Sequence, residues 1–106
     1  MVGFVNRLPR TVAGVEIGRQ LVRSATSIGA NVEEADAAES KRDFIHKMSV
    51  AHKEARETRY WLRVIERALP VDQAIQALVL GSDELVRILY AIVQKARRSP
   101  RNRTGN

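Results

Sequence analysis

His52, Arg56, Arg59 and Arg63 stand at spacings of 4, 3 and 4 and could grip a chain of phosphates. On a helix that spacing puts them on one face, where three arginines in line could track a nucleic-acid backbone. The competing reading is ion pairing, with Glu33, Glu34, Asp36 and Glu39 of the preceding segment or with Glu66. A second basic group, Lys95, Arg97, Arg98, Arg101 and Arg103, lies in KARRSPRNR with no acid among it. The chain carries 18 basic and 12 acidic residues, a formal net charge of +6; without that group, 13 bases face 12 acids. The positive charge therefore belongs to the C-terminal end. Residues 99–106, with Pro100 and a polar finish, have the composition of a disordered tail, which leaves residues 1–98 as one domain.

Other chemistry finds little support. A carboxylate di-metal bundle needs Glu-x-x-His on two helices with further Glu partners. Only Asp43-x-x-His46 resembles half of one, and His46 falls on the outward side of its helix. No glycine-rich phosphate loop and no serine nucleophile with an evident base is present. With no cysteine, disulfides and thiolate metal ligation are excluded. The expectation is a protein that is not an enzyme and takes no metal or cofactor.

Two further groups concern assembly. Gln20, Ser24, Ser27, Asn31 and Glu34 form a polar stripe beside an apolar row. Polar groups so near a core need hydrogen bonds or cost ~1–3 kcal/mol each. They form either a ligand site or register-fixing polar network, or a solvated flank. Val50, Tyr60, Trp61 and Val64 make an outer apolar and aromatic patch suited to self-association.

The elements that must position these residues are helices; no stretch shows the two-residue alternation of a strand. From Ser40, an N-cap with Asp43 three residues on, a heptad seam runs Phe44, Met48, Ala51, Ala55, Thr58, Leu62, Ile65 and Leu69, ended by Pro70. A second seam restarts at Val71 and runs Ile75, Leu78, Ser82, Leu85, Leu89, Ile92 and Ala96, flanked by Val79, Val86 and Val93. One helix with a soft middle at Gly81-Ser82 is expected there. An earlier helix spans 12–38 with seam Gly18, Leu21, Ala25, Ile28, Val32 and Ala35, and VGFVNRL before Pro9 reads as the last turns of another. The fold class is all-α: an antiparallel up-down four-helix bundle with helix one reduced to a short N-terminal stub and three long helices. No signal peptide and no apolar run of ~20 residues appears, so a soluble, cytoplasmic protein with no membrane partner is expected.

RSATSIGANVEEA at 23–35 and ESKRDFIHKMSVAHKEARETRYWL at 39–62 resemble the bacterial four-helix-bundle proteins encoded within intervening sequences of 23S ribosomal RNA genes, also labelled S23 ribosomal proteins. The likeness runs from about Leu8 to Arg98, densest at Ser27-Ile28-Gly29-Ala30-Asn31 with Glu34, Ser40 with Phe44-Ile45, and Ala51 with Glu54 and Glu57. The resemblance implies an antiparallel bundle assembling as a homopentamer. It also implies kinship with accessory proteins of diversity-generating retroelements, which bind a reverse transcriptase and nucleic acid. It carries over no catalytic residue. The family begins with a full first helix where only Val2 to Leu8 stand here, so the 12–38 and 71–97 seams are expected to present apolar surface to solvent or another subunit. The sequence thus points to a homo-oligomeric scaffold contacting RNA or DNA, or alternatively to a module recognising a partner polypeptide.

Overall fold

The computed structural model describes residues 1–99, and Arg101 and Arg103 lie outside the described residues. Four helices follow in order: α1 (Val2–Asn6), α2 (Val12–Asp36), α3 (Lys41–Ala68) and α4 (Ala74–Arg98). The described residues contain no strand. Caps set the starts. Thr11 accepts from the Gly14 amide at 3.1 Å and Ser40 from the Asp43 amide at 3.0 Å, each satisfying a donor that the helix leaves orphaned. The α4 start falls at Ala74, not Val71, because the Asp72 carboxylate accepts from the Ala74 amide at 3.0 Å. Val71 instead packs as a loop residue on the core. Gly81-Ser82 does not break α4; Ser82 returns its hydroxyl to the Val79 carbonyl at 2.7 Å.

Helix α3 is central, with α2 packed along one flank and α4 along the other. Glu34 pairs with Lys47 and Arg23 with Glu54, so α2 and α3 run antiparallel; Arg59 and Arg63 meet Asp83 while His52 meets Tyr90, so α3 and α4 do too. Two apolar clusters fill the bundle. One joins Ile28, Ala35, Met48, Ala51, Ala55, Val86, Leu89 and Val93. The other holds the α1 stub: Phe4 and Leu8 pack with Leu21, Leu62, Ile65 and Ile75. Arg7 fastens the stub further, its Nε 2.8 Å from Asp72 Oδ2.

The α3 seam is buried from Met48 to Ile65 as its spacing requires. The other two seams sit rotated. On α4 the buried line is Ile75, Ser82, Val86, Leu89 and Val93, so the flanking valines face α3 while Ile92 is exposed. On α2 the line is Gly14, Gly18, Leu21, Ser24, Ile28 and Ala35, and Val32 is exposed. Of the displaced seam residues, Ala25, Leu78 and Leu85 line a groove between α2 and α4. It holds about 280 Å³, is lined by Ala25, Ile28, Gly29, Leu78, Gly81 and Leu85 among others, and Met1 enters one end. The molecule measures 54 × 19 × 17 Å with a radius of gyration of 16.2 Å. A compact domain of this length would have ~13 Å, so this is a long, thin slab of helices.

Candidate nucleic-acid interface

Opposite its buried seam, α3 turns Arg42, His46, Lys53, Arg56, Tyr60, Arg63 and Arg67 outward, and all seven are exposed. The line His52, Arg56, Arg59 and Arg63 is not the outermost one. His52 and Arg59 sit half-buried at the α4 boundary. Arg59 Nη1 lies 3.4 Å and Arg63 Nη2 3.0 Å from Asp83 Oδ1. Their partner is thus an acid of α4, not one of the α2 acids or Glu66. Among the described residues Arg56 makes no ion pair, nor do Arg42, Lys53 and Arg67. The His52 ring lies 5.7 Å from the Tyr90 ring; burial first, then Arg56 and Arg59, push its pKa below the ordinary histidine value.

At the α4 end Lys95, Arg97 and Arg98 are exposed, again without an acid partner among the described residues. The Lys41 ammonium donates to the Ser99 carbonyl, which brings this basic end beside the start of α3. Arg42, Lys53 and Arg67 carry the 3- and 4-residue rhythm of the outer row but do not stand out as an arginine run. Counting faces outward from the seam would have found them.

The polar stripe divides. Ser24 is fully buried, its Oγ 2.9 Å from Thr58 Oγ1 and 3.2 Å from the Leu21 carbonyl. Asn31 donates to the Ser27 carbonyl at 2.9 Å and Ser27 Oγ at 3.3 Å. Gln20 donates instead to Glu16 at 3.0 Å, and Glu34 takes Lys47 at 2.7 Å. The Lys47 hydrogen bond holds the Glu34 carboxyl below its usual range. The five residues thus enter four separate pairings, Ser24 with Thr58, Ser27 with Asn31, Gln20 with Glu16 and Glu34 with Lys47.

Of the outer patch, Trp61 is half-buried against the cluster that holds the α1 stub and donates to Glu57 Oε2 at 3.2 Å; Val50 and Val64 are half-buried. Tyr60 is 57 % exposed, its ring edge-on to Trp61 at 5.0 Å. Arg23 hydrogen-bonds Glu57 and lies 3.6 Å from Glu54, holding the Glu57 carboxyl below its usual range. Among the described residues no three His, Asp or Glu gather as a metal site would require, and no helix is long and apolar enough to cross a membrane.

Fold and surface define a class: an antiparallel helical bundle with a basic outer face. The family model for the 23S rRNA-intervening sequence protein matches residues 3–91, and the chain belongs to that family. Among solved structures it is similar to a protein of unknown function from the S23 ribosomal protein family of Bacteroides thetaiotaomicron. The two are 39 % identical with a TM-score of 0.69, over 74 % of this chain and 70 % of the other. No curated protein matches the chain.

Proposed function

We propose that the chain is a non-enzymatic, homo-oligomeric helical scaffold that contacts RNA or DNA. The observation that carries this is the α4 end, where Lys95, Arg97 and Arg98 stand exposed without acid partners among the described residues, with Arg101 and Arg103 following in sequence. A helix C-terminus favours a cation, but its charge of roughly −0.5 calls for one, not five. Arg56 adds an unpaired charge on α3, while Arg59 and Arg63 are partly engaged by Asp83. Self-association follows from the open apolar groove and from the exposed part of the Val50, Tyr60, Trp61 and Val64 patch; the family resemblance puts the assembly at five copies.

A salt titration of nucleic-acid binding tests the reading. Each phosphate contact contributes about 0.9 to the log–log slope on duplex and about 0.7 on single strands. Replacing the five C-terminal cations by glutamine weakens binding and flattens that slope. The same groove favours a second reading, a module that seats a helix of a partner polypeptide, such as a reverse transcriptase. Under it a pull-down recovers one protein after nuclease treatment, and the glutamine variant recovers it equally well.

A further inference from the structure

The outer face of α3 carries a second, separate layout. Arg42, Lys53, Arg56, Arg63 and Arg67 lie along one line of the helix, with Tyr60 between Arg56 and Arg63 in the same line. From residue 42 to residue 67 the line runs roughly 37 Å at 1.5 Å per residue. Of the acids bordering it, Glu57 is engaged by Arg23 and Trp61 and Asp83 by Arg59 and Arg63, while Glu66 stands exposed beside Arg63 and Arg67 and sets one negative charge at that end of the row. Tyr60 is the one aromatic in this line, more than half exposed, and in T-shaped contact with Trp61. Lys53, Arg56, Arg59, Arg63 and Tyr60 border one shallow hollow, with Glu57 as its single acid. The line ends at Arg42, next to Lys41, which holds the α4 end through Ser99.

We infer that this face is a track for a single-stranded polynucleotide, with its phosphates on the cations and one base stacked on Tyr60. The inference rests on the nucleic-acid reading above and deepens it by naming the strand form and the surface. A straight row of cations follows one backbone along its length, whereas the phosphates of a duplex wind away from a straight helix face. An exposed ring can stack an unstacked base; an intact duplex has no base face to give. Backbone charge with sequence-tolerant stacking is how single strands are held without readout of base identity.

The test is an anisotropy titration of the intact protein with a labelled oligothymidylate and with a duplex of equal length, across salt. Two exposed-site variants are compared: Tyr60→Leu, which keeps apolar bulk without a π-face, and the double variant Lys53→Gln with Arg56→Gln. The wild type prefers the single strand. Tyr60→Leu weakens single-strand binding about tenfold with the salt slope unchanged, and the double variant lowers that slope by about 1.4. Circular dichroism identical to wild type certifies both folds. Duplex bound as tightly as single strand, or variants that bind the single strand as the wild type does, overturn the inference and leave the broader reading standing if the C-terminal glutamine variant still loses affinity. No binding by the wild type at low salt overturns both.

Discussion

Arg23 and Trp61 both donate to Glu57, Lys47 to Glu34, and Arg7 with the Ala74 amide to Asp72, so these three carboxyls ionise more readily folded than unfolded. The ordinary values are 4.5 for the two glutamates and 3.8 for the aspartate. A carboxyl lowered in the folded state adds stability that is present above its ordinary value and lost as pH falls through the folded one. His52 acts in the same sense: its folded pKa is lowered from 6.5, so folding resists its protonation as pH drops below that. Stability therefore declines with acidification, first through His52 and then through the carboxyls. Urea unfolding of Glu57→Gln should show a shallower loss below about pH 4.5 than the wild type; parallel curves would discard the role given to Arg23 and Trp61. At this scale the sequence was least legible. Ser24 reads as one member of a polar stripe, yet it is buried because Thr58, 34 positions away, meets its hydroxyl. Nothing local marks that partner, and the same is true of the Arg59 and Arg63 pairing to Asp83.

Among the elements, α3 was readable almost residue by residue because its apolar face is narrow: one seam, one cap, one terminating proline. α4 was readable as a helix but not in its rotation. Two adjacent apolar rows satisfy its periodicity, since one faces α3 and the other lines the groove, and periodicity cannot rank two rows of equal quality. The α4 start was missed for a different reason, the Asp72 side chain taking the place of a helical turn. Glycines separate the walls of the groove from the packed interior. A Cβ on Gly29 or Gly81 would meet nothing within 4 Å, whereas one on Gly14 would fall 2.0 Å from the Pro9 carbonyl oxygen. Gly81→Ala should stabilise the isolated chain by about 1 kcal/mol through helix propensity. Gly14→Ala should destabilise it, because the backbone turn entering α2 has to move. Thermal melts at low protein concentration check both, and a Gly81→Ala variant that melts lower than wild type would mean that something seats against that wall.

Taken as a whole, the molecule is a thin slab whose central helix is covered on two flanks while a groove along α2 and α4 stays open and apolar. Ile88, Ile92 and Val32 are among the large exposed hydrophobics of these two helices. Apolar surface of this kind marks an association site, so light scattering should return a mass that is a multiple of the 11.9 kDa chain, five-fold by the family resemblance; a monomer at micromolar concentration would remove the scaffold from the account. Under the proposed assembly every copy would bring its own α3 row and its own α4 end, multiplying the basic surface. The central claim, that these cations contact nucleic acid, is tested most directly by one titration: binding of RNA and DNA by the purified protein against salt, for the wild type and for the variant with Lys95, Arg97, Arg98, Arg101 and Arg103 replaced by glutamine. The account predicts binding at low salt that weakens steeply as salt rises, with lower affinity and a flatter slope in the variant. Absence of binding at low salt, or a variant indistinguishable from wild type in both affinity and slope, would contradict it.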